Sequence, residues 1–64
     1  MDDRDRLDAF EAFAAEVRDE LRQVTERMDA LRAENKVKTA TYRQLFAARI
    51  TLKEIDGRLT EHGL

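Results

Sequence analysis

Apolar side chains recur through the first half of the chain at Leu7, Phe10, Ala14, Val17, Leu21, Val24, Met28 and Leu31, at spacings that alternate between three and four residues without a slip. The next position in the series is Asn35. On an α-helix this spacing draws one stripe, the a/d seam of a heptad repeat, held over four heptads. It predicts a first helix over about residues 4–34. Asp2, Asp3 and Asp5 precede the seam and suit the free amides and positive dipole end of a helix start. Ala9, Ala12, Ala14, Ala15, Ala30 and Ala33 lower the conformational cost of the helix. Asp19/Arg22, Arg22/Glu26 and Asp29/Arg32 stand at spacings that form local pairs. Phe13 lies beside the seam and widens the apolar face near the N-terminus. Asn35 has two readings, a register-setting a position or a left-handed helix stop. The irregular Lys36–Val37–Lys38–Thr39 that follows favours the stop, with residues 35–40 as the connection.

The pattern in the second half is less regular. Thr41-Tyr-Arg-Gln-Leu45 and Thr51-Leu-Lys-Glu-Ile55 match in residue type at four of five steps, and each has the form of a capping box. Ile50 and Ile55 bracket the second box as a hydrophobic staple would. These signals predict a second helix over about 41–49 and a third over about 52–62. A competing reading keeps one helix, because Leu45, Ala48, Leu52, Ile55 and Leu59 continue a three–four seam. That reading leaves Tyr42, Phe46 and Ile50 as a separate apolar stripe well round the cylinder, so the break at Thr51 is preferred. Gly63 fits a left-handed cap with Leu64 folding back on Leu59. Gly57, costly inside a helix, suggests close approach to the first helix.

The fold class that emerges is all-α: a single domain over residues 1–64, with a long heptad helix and two short helices folded back on it as a helical hairpin. At 64 residues, such a core seldom supplies more than about 3–5 kcal/mol. Small proteins add disulfides, metals or oligomerisation, and the chain has no cysteine. Oligomerisation remains, and the expectation is a homodimer within a helical bundle, joined through the seam Leu7, Phe10, Ala14, Val17, Leu21, Val24, Met28 and Leu31. A parallel pair would set Arg6 against Glu11 but Arg27 against Arg32, and Glu20 only against Thr25. Parallel pairing therefore has no advantage, and an antiparallel one is expected.

Charge changes this picture little. The net charge is −2, but residues 1–35 hold 6 basic and 11 acidic side chains while residues 36–64 hold 6 basic and 3 acidic. Attraction between the two halves explains the division more simply than nucleic-acid binding, which uses a denser basic face. No stretch has the apolar length of a membrane span, and the opening Met-Asp-Asp-Arg-Asp lacks the features of a signal peptide, so no membrane association and a cytoplasmic location are expected. There is no serine or cysteine nucleophile, no glycine-rich phosphate loop and no metal-ligand spacing, so neither enzyme activity nor a cofactor or metal is expected. His62 beside Glu61 reads as a helix-end partner, Tyr42 as a packing residue, and Met28 as core filler.

One further pattern bears on function. Thr41–Leu64, T-Y-R-Q-L-F-A-A-R-I-T-L-K-E-I-D-G-R-L-T-E-H-G-L, resembles the helix-turn-helix that opens MerR-type regulators, with T-I-x-x-L-A, a G-V-S turn, T-I and a closing G-L. The resemblance covers 24 of 64 residues. It implies that the third helix is a recognition helix, with Lys53, Glu54, Asp56 and Arg58 near the groove and Arg43, Lys53 and Arg58 as DNA contacts. The turn is one residue short and lacks its glycine, and Phe46 stands where a small alanine is usual. Glu54, Asp56 and Glu61 also oppose phosphate. The leading expectation is a non-enzymatic interaction and oligomerisation module. The alternative is a small dimeric DNA-binding or regulatory protein using residues 41–64.

Overall fold

The computed structural model describes residues 2–64 and contains two antiparallel helices, α1 (Asp3–Ala33) and α2 (Ala40–Glu61), joined by a turn over 34–39. Each helix boundary has a local cause. Asp2 caps α1 by accepting a hydrogen bond from the Asp5 amide at 2.8 Å. At the other end Asn35 is left-handed, with φ 58°, a conformation that asparagine tolerates better than most residues. The Lys36 amide then donates to the Leu31 carbonyl at 2.8 Å and the Asn35 amide to Arg32 at 3.1 Å, a Schellman cap. Gly63, at φ 84°, ends α2 in the same way, with the Leu64 amide donating to Leu59 at 2.9 Å and the Gly63 amide to Thr60 at 3.0 Å.

The expected second and third helices are one. α2 runs unbroken for 22 residues through Thr51. The N-cap is Thr39, whose hydroxyl accepts from the Tyr42 amide at 3.2 Å and donates to the Lys36 carbonyl at 2.8 Å. Thr41 lies inside the first turn. Thr51 does not cap: its hydroxyl donates back to the Ala47 carbonyl at 3.3 Å, the bond a threonine makes in a helix interior. Nothing between Ile50 and Leu52 breaks a helix, and an unbroken α2 keeps Leu45, Ala48, Leu52, Ile55 and Leu59 on one stripe facing α1. The local capping signal, worth about 1 kcal/mol, loses to packing along the whole hairpin. Gly57 is also corrected. A Cβ built there meets nothing within 4 Å, so it is not a point of close approach.

Between the helices Ala14, Val17, Met28 and Leu52 are buried, and Met28 is only 1% exposed. Leu21, Val24, Leu31, Leu45, Ala48, Ile55 and Leu59 flank them half-buried. Two polar straps fix the register. Arg18 donates from Nε to Asp56 Oδ1 at 2.7 Å, from Nη1 to the Leu64 carbonyl at 2.6 Å and from Nη2 to Thr60 Oγ1 at 3.4 Å. Near the turn, Arg32 Nη2 donates to the Tyr42 hydroxyl at 3.0 Å. At 1.5 Å per residue α1 is about 46 Å long and α2 about 33 Å. The molecule is a rod of 49 × 16 × 15 Å, and the start of α1 runs on past the end of α2.

Candidate interaction surface

Where α2 ends, the seam of α1 continues uncovered. Leu7 is 50% exposed, Phe10 57% and Phe13 46%. Phe10 and Phe13 form one wall of an open notch of about 440 Å³, and Ile55, Leu59 and Leu64 form the other. Arg58 and His62 complete its lining. A second hollow adjoins it, lined by Arg6, Ala9, Phe10 and Phe13. The Schellman cap at Gly63 shapes the notch, because it turns Leu64 back towards Leu59. The result is a concave apolar surface flanked by charge, built by the length difference between the two helices.

The expected seam is thus divided. Ala14, Val17 and Met28 are buried, and Leu21, Val24 and Leu31 are half-buried in the hairpin, while Leu7 and Phe10 stay exposed. A separate apolar pair, Phe46 and Ile50, lies exposed on the outer side of α2. It follows from the unbroken helix, since at 100° per residue Ile50 points roughly 160° away from Leu52.

The charges sort by whether they have partners. Arg22 bridges Asp19 and Glu26 on the exposed side of α1. Its hydrogen bond and charge hold the Asp19 carboxyl below the usual aspartate value. The hydrogen bond to Tyr42, then coulombic attraction to that residue, holds Arg32 above the usual arginine value. Arg6, Glu20 and Arg27 take part in no ion pair among the described residues. Arg49 Nε is buried without a hydrogen-bond partner.

With no turn at Thr51, the residues named as DNA contacts share one helix, and no separate recognition helix is set off. Arg43 and Arg58 stand about 60° apart round its axis, with Lys53 about 80° to the other side of Arg43, spread over about 22 Å of its length. Arg58 is also engaged by Glu54 at 3.4 Å. Among the described residues no group of histidine, cysteine, aspartate or glutamate is placed to hold a metal ion, and no helix is long and apolar enough to cross a membrane. Sequence reasoning missed the Arg18 strap, whose partners lie 38 to 46 residues away. Its one local signal is its place beside the seam, next to Val17. No family model, curated protein or solved structure matches the chain.

Proposed function

We propose that this chain is a non-enzymatic helical interaction module that self-associates as a homodimer through the start of α1. The observation that carries this reading is the exposed run of Leu7, Phe10 and Phe13 beside an apolar notch. The energetic need is plain. Four buried residues make a small core, and apolar surface left wet forgoes about 25 cal/mol per Å². The accessible surface is 5157 Å², whereas a compact monomer of 7.5 kDa would expose about 4200 Å². The excess, roughly 900 Å², is close to the ~800 Å² that each partner buries in an ordinary interface. A second chain laid against the notch would cover apolar surface that α1 and α2 leave open.

The test is sedimentation equilibrium on the wild type and on Phe10→Glu. Phe10 is the better site than Leu21, because Leu21 packs against α2 and a charge there would disturb the hairpin itself. The expected result is a wild-type dimer and a Phe10→Glu monomer of unchanged helix content. A wild type that is monomeric and stably helical at high concentration would refute the reading.

A further inference from the structure

We infer that the second copy packs antiparallel along the Phe13 side of α1, with Phe13 against the partner's Phe13 and Arg6 against the partner's Glu20. This rests on the self-association proposed above and specifies its geometry. Arg6, Phe13 and Glu20 stand at intervals of seven residues. They therefore lie along one stripe of α1, drifting only ~20° per heptad. Phe13 places that stripe on the notch side of the hairpin, since it shares the notch with Ile55 and Leu59. Arg6 lines the adjoining hollow with Phe10 and Phe13. Arg6 and Glu20 are both exposed, and neither has an ion-pair partner in its own chain among the described residues. They are about 21 Å apart along the helix, so they cannot pair with each other within one chain.

A two-fold axis through Phe13 resolves both features at once. In an isologous contact each residue meets its complement twice. The aromatic ring meets itself, Arg6 meets the partner's Glu20, and Glu20 meets the partner's Arg6. The notches of the two chains then face one another, and the Phe10 of each chain lies over the apolar wall of the other. The opposite side of the hairpin fits poorly, because it carries the polar strap of Arg18, Asp56 and Thr60.

Other registers on the same stripe do worse. A centre between Glu20 and Arg27 pairs those two charges, but it sets Phe13 against Glu34 and leaves the notch open. A centre at Glu20 brings two carboxylates together. A parallel pair sets Arg6 against Glu11 and Glu20 against Thr25, which uses neither the notch nor the complementarity of Arg6 with Glu20.

The test is a charge exchange, read as dimer dissociation constants by sedimentation equilibrium at low salt, with helix content checked by circular dichroism. Arg6→Glu and Glu20→Arg alone each turn two attractive contacts into two repulsive ones. Each should weaken the dimer roughly tenfold, from pairs of ordinary exposed strength. The double variant restores both contacts in reversed order and should return to within about twofold of wild type, with the differences shrinking in high salt. A wild-type dimer whose double variant is no tighter than the weaker single variant overturns the antiparallel register and leaves self-association standing. A monomeric wild type overturns both.

Discussion

Met28 is the residue on which the hairpin depends most. It is the largest fully buried side chain and 1% exposed, on α1 beneath the first half of α2. Met28→Ala removes the atoms that fill this position, and the two helices cannot close the gap without giving up the contacts on either side. Buried methionine-to-alanine changes cost about 2–5 kcal/mol, the lost transfer energy plus the cavity. Against a core that supplies about 3–5 kcal/mol, that is about two-fifths of the stability or more. At about 4–8 °C per kcal/mol for a domain of this size, the melting temperature should fall by at least ~8 °C. Thermal melts followed at 222 nm, at matched protomer concentration because association adds to apparent stability, measure the change. Met28→Leu keeps volume and apolarity and should cost under ~1.5 kcal/mol. A Met28→Ala protein that melts within about 3 °C of wild type would refute the packing described.

Four further outcomes follow from particular residues. Thr51→Ala should leave stability within about 0.5 kcal/mol of wild type or raise it, because Thr51 back-bonds inside α2 and alanine is the better helix former; urea titration checks this, and a loss near 1 kcal/mol would restore its role as a cap. Gly57→Ala should stabilise by up to about 1 kcal/mol, since its Cβ enters open space, whereas Gly63→Ala should destabilise because φ is +84° there; paired melts of the two variants distinguish them. The folded-state pKa of Asp19 is lowered, first by its hydrogen bond to Arg22 and then by that residue's charge. Its contribution is therefore present above the unfolded value, about pH 3.9, and lost as pH falls through the lowered one, so Asp19→Asn should flatten the acid limb of a stability–pH curve. Random duplex DNA should bind weakly or not at all at physiological salt, because Glu54, Asp56 and Glu61 share α2 with Arg43, Lys53 and Arg58 and Glu54 engages Arg58; submicromolar, salt-sensitive binding lost in Lys53→Glu would contradict this.

What could be read from the sequence was local. The three–four spacing from Leu7 to Leu31 announces α1, whose Asp3–Ala33 bounds fall within a residue of those expected. Asn35 and Gly63 announce the helix ends because left-handed caps are satisfied by neighbours five residues away or fewer. Thr51 misleads for the same reason. A capping box and a continuous seam are both locally self-consistent there, and the choice between them is made by α1, which covers the Leu45–Leu59 stripe only if α2 stays straight. The Arg18 strap joins residues far apart in sequence, and no spacing rule reaches that far. The notch was only half legible. Phe10 stood on the seam and Phe13 beside it, but where α2 would stop depends on the hairpin register, which the straps to Asp56 and Tyr42 fix.

The unbroken α2 also explains why this chain has so much apolar surface left over. A hairpin of two helices has a single interface, so each helix can turn only one stripe inward. A third helix beginning at Thr51 would have made a second interface and drawn Phe46 and Ile50 into it. Without one, Phe46 and Ile50 stay on the outer face of α2, and Leu7, Phe10 and Phe13 stay exposed at the start of α1, with Phe10 and Phe13 beside the last turns of α2. The two sets differ in their surroundings. Phe46 and Ile50 are an isolated pair on a convex helix face, which is an ordinary feature of a protein surface. Leu7, Phe10 and Phe13 are continuous with the core seam and adjoin a concave notch, and one heptad to either side of Phe13 stand Arg6 and Glu20, which take part in no ion pair among the described residues. A convex pair offers a partner little area, whereas a concave surface flanked by complementary charge fixes both contact and register. The association proposed above would therefore add one more layer to the hairpin's own core, along the Arg6–Phe13–Glu20 stripe that lies beside the seam.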